Sequence, residues 1–273
     1  MNIWDKSIAA RDFIFSQTKT RPKAALVLGS GLGSLVNKLE SKVKIPFSAI
    51  PHFKTTTVVG HKGNFVFGTL QGVEVVLVQG RLHFYEGFSM DEVTFYMRVL
   101  FQLGIKKVFV TNAVGGINTN YKVGNLVLIN DHINAFPIHP LRGENDMRFG
   151  PRFLDLHQPY SEKHIEQLST FAKNNAIPLQ SGVYYGLQGP SFETKAEYKM
   201  IAILGGDVVG MSTVPEVIVA NHMNIEVTAI SVITDMGNTV SLEKIDHSKV
   251  LQAAKNAQEP LFLLFQNWLL TNH

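Results

Sequence analysis

The chain alternates short, strongly apolar runs with longer segments in which apolar residues recur at helical spacing. The short runs are rich in Val, Ile, Leu and Phe, and several contain almost no polar residue. A strand that is apolar on both faces is typical of a sheet covered on both sides. The runs that predict strands are Ala24–Leu28, Phe65–Leu70, Val73–Gln79, Val108–Thr111, Leu126–Ile129, Val183–Tyr185 and Val227–Ile233.

Capping residues mark the starts of several predicted helices. Ser89 with Glu92, and Thr194 with Glu197, have the spacing of a capping box, in which two residues satisfy free backbone N–H groups reciprocally. Pro215 suits the first turn of another helix, where the missing N–H is not needed. These signals place helices after the strands that precede them.

The C-terminal part of the chain is predicted to be helical in two pieces. Leu242 to about Asn256 has helical spacing, and Pro260 is expected to kink or restart the helix. The apolar tail Leu261–Leu270 is interrupted by Gln266 and Asn267. It is too short to span a bilayer, so a buried terminal helix is expected.

Alternation of strands and helices predicts an α/β fold with a central mixed, mostly buried sheet flanked by helices. No internal repeat or low-complexity linker divides residues 1–273, so a single domain is expected. Ligands of such folds bind at the carboxyl ends of strands. Polar, glycine-rich loops follow several of the predicted strands. These loops are therefore the candidate ligand-binding site.

Composition excludes several classes of function. The net charge is +3 with a pI of about 8.9, and the cationic residues are scattered, so no nucleic-acid partner is expected. The absence of cysteine excludes disulfides, thiolate metal sites and thiolate nucleophiles. The first residues lack the charged-then-apolar pattern of a secretory leader. A cytoplasmic protein without membrane contact is therefore expected.

Two loops in the second half of the chain carry the most specific chemistry. In residues 184–194, Phe192 and Glu193 put an aromatic ring beside a carboxylate on a loop with glycine and proline. The ring can stack on a flat heterocycle while the carboxylate accepts from an N–H edge. In residues 210–216, a Gly-Met-Ser turn leads into a helix start, where free N–H groups can hold an anion. A flat base beside a phosphate predicts nucleoside phosphorolysis.

A glycine-rich loop after the first strand is a further candidate for anion binding. Gly29–Ser34 lets the backbone approach a ligand closely, and Ser30 can donate to a phosphate oxygen. The loop resembles a dinucleotide fingerprint but fails it, because its third glycine comes one position early. A plain tight turn is an equally good interpretation of this loop alone.

The loop after Val73–Gln79 offers several polar side chains. Arg81 has a fork of donors that suits phosphate, and His83 can add another donor. Tyr85 offers a hydroxyl, and Glu86 can orient the cations. A strand end with a surface salt bridge is the alternative. His61, on a glycine-flanked loop, is by itself better explained as an ordinary loop histidine. Residues 111–116 follow a predicted strand and could offer backbone N–H groups to a ligand, and a glycine turn is an equally good interpretation of them.

Taken in series, these loops resemble the trimeric purine nucleoside phosphorylases. Several loops that match in the family's order and spacing are more specific than any one of them. The resemblance implies the family's α/β fold, phosphorolysis of purine nucleosides, and a homotrimer with active sites near subunit interfaces. The matching segments are Gly29–Gly33, Gly60–His61, Gly80–Gly87, Thr111–Gly116, Asp131–Asn134, Leu141–Gly143, Arg148–Gly150, Gly189–Thr194 and Gly210–Glu216.

The resemblance also implies roles for individual residues. The phosphate site would comprise Ser30, His61, Arg81, His83, the backbone of Ala113, and Ser212. The ribose contacts would come from Tyr85, the Met211 backbone and His247, and the base pocket from Phe192, Glu193, Val209, Asp235 and Tyr184 or its neighbour. Phe153 would reach into the neighbouring subunit's site. Asp235, Glu193 and His83 are the residues expected to act in catalysis.

The chemistry explains why such groups are needed. Phosphorolysis breaks a C–N glycosidic bond with phosphate as nucleophile, through a transition state that carries positive charge on the sugar. The protein mainly positions the reactants and stabilises charge, so phosphate is a co-substrate and no metal or other cofactor is expected. Glu193 would accept from the N1–H and 2-amino edge of a 6-oxopurine, which favours inosine and guanosine.

One residue departs from the pattern of the 6-oxopurine enzymes. Those enzymes usually have an asparagine after the Ile-Thr that ends the late strand, and Asp235 stands there in this chain. An ionised aspartate only accepts hydrogen bonds and would suit a 6-amino group, whereas a protonated one could donate to N7 or O6. Burial beside Glu193 would raise one carboxyl pKa and favour the protonated form. We expect 6-oxopurine nucleosides to remain the main substrates, with greater tolerance of adenosine.

Two other functions remain open from the sequence. A methylthioadenosine phosphorylase also carries aspartate at this position but usually lacks the glutamate that Glu193 matches, and His247 is unsuited to an apolar 5′ pocket. A non-catalytic nucleoside-binding protein would have the same pocket and would bind without turnover.

Overall fold

The computed structural model describes residues 1–58, 62–237 and 247–271, and the side chains from residue 250 onward in the last range. Within these residues the chain forms a mixed α/β domain with a nine-stranded central sheet flanked by helices. The strands are β1 Ala24–Leu28, β2 Glu40–Pro46, β3 Asn64–Leu70, β4 Val73–Gln79, β5 Lys107–Gly116, β6 Leu126–Asn134, β7 Leu179–Gly186, β8 Val208–Gly210 and β9 Glu226–Met236. The helices are α1 Ile3–Gln17, α2 Met90–Gln102, α3 Glu162–Asn174, α4 Lys195–Ile203, α5 Val214–His222, α6 His247–Asn256 and α7 Gln258–Thr271.

The strand order is β2-β3-β4-β1-β5-β8-β7-β6-β9, and β9 also pairs with β5. Because β9 pairs with β6 on one side and β5 on the other, these strands and the two between them form a closed ring. β4, β1, β5 and β9 run parallel, so their carboxyl ends point to the same edge. This edge holds the loops after β1 and β4 that the sequence analysis identified as candidates for anion binding.

Each central strand serves two hydrophobic cores because its side chains alternate between the faces of the sheet. In β1, Ala25 and Val27 face the core under α1, α2 and α5, whereas Leu26 and Leu28 face the core under α3, α6 and α7. All of these side chains are buried, which explains why the strand is apolar throughout. In the described part of the chain, no helix is long and apolar enough to cross a membrane.

The structure confirms every strand predicted from apolar runs, and five of them extend beyond the predicted range at one end or at both. The largest difference is in β5, which continues through Asn112, Gly115 and Gly116. The interpretation of residues 111–116 as a glycine turn is therefore wrong. Pairing with β8 and β9 on either side holds these residues extended.

The apolar pattern missed two strands and two helices. β2 lies at the sheet edge and buries only Ile45, and β8 has only three residues, so neither contains an apolar run. α1 and α3 each bury only three side chains, so their apolar stripes are narrow. The segment after Gly29–Ser34 forms a short 3-10 helix, Gly33–Lys38, rather than an α-helix.

The predicted helix starts are confirmed in detail. Ser89 with Glu92 and Thr194 with Glu197 form complete capping boxes at α2 and α4. Pro215 lies in the first turn of α5. α6 ends at Asn256 and α7 begins at Gln258, so the chain restarts its helix just before Pro260. Residues 242–246 of the predicted helix lie outside the described residues.

Candidate active site

A cavity of about 410 Å³ opens at the carboxyl ends of β1, β4, β5 and β9. It is closed on the other side by the loops that follow β7 and β8. Its lining residues are Gly29, Ser30, Val58, Arg81, His83, Tyr85, Asn112, Ala113, Val114, Gly115, Pro190, Phe192, Glu193, Val209, Gly210, Met211, Ser212, Thr234, Asp235 and Val250. Most candidates from the sequence therefore line one cavity.

The cavity is lined by two sets of candidate residues that differ in charge. Ser30, Arg81, His83, Ala113 and Ser212 are the predicted phosphate ligands that line the cavity, and they bring hydroxyl, guanidinium, imidazole and backbone donors together. Such a set suits an anion. The residues predicted to bind the base, Phe192, Glu193, Val209 and Asp235, line the same cavity.

Arg81 is held in place by a buried network. Its side chain is 1% exposed, and its Nη1 atom lies 2.6 Å from the Glu216 carboxylate. Its Nη2 atom donates to the carbonyl of Thr111. Glu216 also accepts from the Tyr96 hydroxyl at 2.7 Å and from the Thr213 N–H at 3.1 Å. Burial lowers the pKa of Arg81, but the charge and hydrogen bond of Glu216 together with Tyr96 and Tyr184 outweigh it. The pKa is therefore raised, and the guanidinium stays charged.

His83 is oriented by Glu86, as the sequence suggested for the cations of this loop. Glu86 accepts from the His83 N–H at 2.7 Å and lies 3.2 Å from its Nδ1 atom. The same carboxylate accepts from the N–H of Thr57 at 2.6 Å. Burial raises the pKa of Glu86, but the hydrogen bonds from His83 and Thr57 prevail and lower it to about 2. Glu86 orients His83, whereas the partner of Arg81 is Glu216.

Tyr85 stacks on the His83 ring, with the two ring centroids 4.8 Å apart. Burial, followed by the charge of Glu86, raises the pKa of Tyr85 to about 12. Its phenol is therefore neutral near pH 7 and can donate a hydrogen bond into the cavity.

The turn before α5 has a strained backbone. Thr213 is fully buried with φ of 69°, a conformation that is rare for a branched residue. Its hydroxyl accepts from the Asn112 side-chain amide at 2.8 Å. Glu216 already takes the Thr213 N–H, so the start of α5 is capped by its own carboxylate. The anion donor that this turn presents to the cavity is Ser212.

Two carboxyl groups, those of Glu193 and Asp235, line the cavity. Burial raises the pKa of Glu193, and the negative charge of Asp235 raises it further. Burial also raises the pKa of Asp235, although a hydrogen bond from Thr234 opposes the shift. The Thr234 hydroxyl lies 3.0 Å from Asp235 Oδ1 and 3.1 Å from the Val114 carbonyl. Because one hydroxyl has one proton, it cannot donate to both acceptors at once.

The structure does not place Tyr184 on the cavity wall. Tyr184 is completely buried, and its hydroxyl accepts from the Ser212 N–H at 3.3 Å. Its ring packs against Gly210, where a Cβ atom would collide with it. Tyr184 therefore supports the Ser212 turn from behind and is not among the residues that line the cavity, because its side chain is packed in the core.

The sequence interpretation missed four residues that shape the site. Glu216 and Tyr96 hold Arg81, and Thr234 contacts Asp235. The Tyr198 hydroxyl is buried near Glu193, and burial, followed by the negative charge of Glu193, raises the pKa of Tyr198. The spacing of Thr213 and Glu216 fits a capping box, which is the signal that could have identified Glu216.

Three predicted residues remain to be placed. Phe153 lies on the loop between β6 and α3 and is 90% exposed, outside the cavity. His61 lies outside the described residues. His247 begins α6, but its side chain is not described. Among the described residues, no group of His, Asp and Glu side chains is arranged to hold a metal ion.

The fold and the cavity define a mixed α/β protein whose pocket combines anion donors with an aromatic ring and two carboxyl groups. Residues 23–267 match the model of the phosphorylase superfamily. The chain belongs to that superfamily. It is 43% identical to purine nucleoside phosphorylase 1 of Geobacillus stearothermophilus over 96% of each chain.

Solved structures support the same conclusion. The Schistosoma mansoni purine nucleoside phosphorylase in complex with adenosine superposes with a TM-score of 0.93 at 36% identity, over 98% of each chain. The complex of that enzyme with inosine gives a TM-score of 0.91 at 36% identity, over 97% of this chain and 95% of the other.

Proposed function

We propose that the protein is a purine nucleoside phosphorylase that converts 6-oxopurine nucleosides and phosphate reversibly into the free base and (deoxy)ribose 1-phosphate. The observation that carries this proposal is the single cavity with anion donors, including Arg81 and His83, and with the carboxyl groups of Glu193 and Asp235. The similar Geobacillus and Schistosoma proteins are named for this activity, and the latter binds inosine.

The donors at the anion end have a defined part in this reaction. Arg81, His83, Ser30, Ser212 and the Ala113 backbone would hold the phosphate dianion below the sugar. There it attacks the anomeric carbon and offsets the positive charge that develops on the ribose. The buried Glu216 carboxylate keeps the guanidinium charged and fixed. His61 would complete this set.

The sugar and base are assigned to the rest of the cavity. Tyr85, the Met211 backbone and His247 would hold the ribose, and Phe192 and Val209 would pack on the purine. Glu193 would accept from N1–H and the 2-amino group. Asp235 would interact with N7 and the 6-substituent as electrons flow into the leaving base. Loss of one such contact typically costs about 2–4 kcal/mol in the transition state.

This reaction requires phosphate as a co-substrate, and we propose that it uses no metal or organic cofactor. We further infer that residues 1–273 work as one domain and that three chains form a homotrimer in which Phe153 enters a neighbouring site. The 90% exposure of this ring supports that assignment. A cytoplasmic location is part of the proposal, and the absence of cysteine is compatible with it.

The direct test is to incubate the purified protein separately with inosine, guanosine, adenosine and methylthioadenosine, with and without phosphate. Release of the free base is followed over time. We expect phosphate-dependent release from inosine and guanosine. Preference for adenosine or methylthioadenosine would overturn the base specificity and leave the reaction type intact. Binding without turnover of any nucleoside would overturn the enzyme activity itself.

A further inference from the structure

A second concave surface lies behind the Gly29–Ser34 loop, on the side away from the cavity. It encloses about 640 Å³ between β2, the 3-10 helix Gly33–Lys38, and the helices α6 and α7. We call it the lysine groove. Its lining residues are Gly31, Gly33, Ser34, Val36, Asn37, Lys42, Lys44, Lys62, Val66, Gln79, Leu251, Lys255 and Gln258.

The charge of the lysine groove is of one sign. Lys42, Lys44, Lys62 and Lys255 line it and are exposed, and no carboxylate does so among the described residues. None of these lysines forms an ion pair within the described part of the chain. The nearby Glu259 is already paired with Lys38 at 2.9 Å. Concave surfaces with one sign of charge concentrate ligands of the opposite sign.

The floor of the lysine groove combines apolar and amide groups. Val36 and Leu251 are half-buried there and offer apolar surface. The Gln79 amide donates to the Gly33 carbonyl at 2.7 Å, and the Gln258 amide donates to the Gly31 carbonyl at 2.6 Å. These two amides fix the loop that carries Ser30, so the groove and the active-site cavity share a wall.

The size and chemistry of the lysine groove point to a small polyanion. Its volume lies within the range of about 300–1,000 Å³ that is usual for small-molecule sites. Several lysines around one concave surface suit several phosphates in a chain, and the apolar floor could accept a base. We propose that the lysine groove binds a chain of linked phosphates, as found in nucleoside triphosphates and in inorganic polyphosphate. The proposal is independent of the substrate specificity proposed above.

The test uses isothermal titration of the full-length protein with ATP and, separately, with inorganic tripolyphosphate, at low and high ionic strength. The test variant is Lys42→Gln/Lys44→Gln/Lys255→Gln. Lys62 is retained because the proposed phosphate ligand His61 precedes it. We expect at least about tenfold weaker binding in this variant, and weaker binding by the wild type at high salt. Tighter binding of ATP than of tripolyphosphate would identify a nucleoside triphosphate as the ligand of the groove. Equal affinity would show that the groove recognises the phosphate chain alone.

Two control variants make the result decisive. Lys19→Gln/Lys163→Gln/Lys173→Gln removes the same charge from exposed positions elsewhere, and it should bind as the wild type does. Ser30→Ala/Ser212→Ala weakens the active-site anion donors and should also retain binding. The proposal is overturned if neither ligand binds the wild type, if both triple variants lose affinity equally, or if the double variant abolishes binding.

Discussion

At the scale of single residues, the site depends on ionisable groups whose surroundings set their protonation state. Arg81 and Glu216 are each 1% exposed and lie 2.6 Å apart. Removing one partner of such a pair leaves an uncompensated charge in a region of low dielectric. Glu193 and Asp235, which both line the cavity, are carboxyl groups with raised pKa. The ion pair keeps Arg81 charged, whereas partial burial of the two carboxyl groups favours their protonated forms.

We predict that Asp235→Asn raises the ratio of kcat/KM for inosine to that for adenosine. An asparagine amide donates to O6 without needing a proton, whereas an ionised aspartate accepts only. The measurement is initial rates on both nucleosides at saturating phosphate. Thr234→Val is the matched control for the adjacent hydroxyl. An unchanged ratio in Asp235→Asn would mean that this side chain does not discriminate between a 6-oxo and a 6-amino group.

The same carboxyl group predicts a pH dependence. Because burial raises the pKa of Asp235 above its ordinary 3.8, the donating protonated form persists to higher pH and is lost as the pH rises through the raised value. The inosine-to-adenosine ratio of the wild type should therefore fall with rising pH. The ratio for Asp235→Asn should stay flat over the same range, and parallel profiles would contradict this account.

We predict that Glu216→Gln lowers the free energy of unfolding by about 3 kcal/mol, because it leaves the buried Arg81 charge unpaired. Tyr96→Phe removes only a hydrogen bond to the same carboxylate and should cost about 1.5 kcal/mol. Urea unfolding of both variants measures the difference. Equal losses would show that the ion pair contributes no more than the hydrogen bond.

At the scale of elements, α5 and α7 connect the site to the core in different ways. The first turn of α5 holds Glu216 against Arg81, and its last residue, His222, packs against the loop at Gly150. α7 docks through Trp268, whose indole N–H donates to His164 Nδ1 at 3.1 Å. The Thr228 hydroxyl of β9 lies 2.8 Å from the same nitrogen, so His164 joins α3, α7 and β9.

We predict that the docking of α7 makes stability sensitive to acid. Burial lowers the pKa of His164 below its ordinary 6.5, and protonation would cost Nδ1 its role as acceptor. Stability from this group is complete above about pH 6.5 and is lost as the pH falls toward the lowered pKa. Urea unfolding at pH 7.5 and 5.5 should show a smaller pH-dependent loss in His164→Gln than in the wild type.

Other histidines, including His132 and His222, also have lowered pKa values. These histidines are present in both the wild type and His164→Gln. The difference in pH-dependent stability between the two therefore reports the contribution of His164. Trp268→Phe keeps the ring but lacks the donor, and it should lower stability at both pH values. An identical pH-dependent loss in the wild type and His164→Gln would exclude this histidine as the cause.

At the scale of the whole molecule, the cavity is bordered by a surface that a second chain could complete. Phe192 at the mouth is 45% exposed and Phe153 on a distant loop is 90% exposed. Large aromatic rings that are exposed in one chain are typical of contact sites between chains. This arrangement agrees with the homotrimer that we propose.

We predict a solution mass near three times the 30.3 kDa of one chain, measured by light scattering after size exclusion. Phe153→Ala should raise KM for inosine severalfold, because the neighbouring site loses an apolar contact, and should leave the unfolding of the isolated chain unchanged. Met147→Ala removes another exposed apolar side chain of the same loop, 71% exposed, and serves as the control. A monomeric mass, or equal effects of both variants, would contradict this role.

The sequence by itself determined the parts of the protein in which neighbouring residues decide the outcome. Buried central strands are apolar throughout, and capping boxes use residues only three positions apart, so strands such as Ala24–Leu28 and the starts of α2 and α4 were predicted correctly. Loops with glycine, charge and aromatic residues identified most of the cavity lining. These features depend on residues that are close together in the sequence, so they can be recognised from the sequence alone.

Only the tertiary structure decided which distant residues meet. β5 stays extended through Gly115 and Gly116 because β8 and β9 pair with it, which no local pattern shows. Glu216 pairs with Arg81 across 135 positions of the chain, and Tyr184 is packed in the core although Phe192 and Glu193, further along the same segment, line the cavity. The lysine groove likewise joins β2, at one edge of the sheet, to α6. Long-range packing and burial set these contacts, because they depend on the closed arrangement of the strands and not on the sequence near each residue.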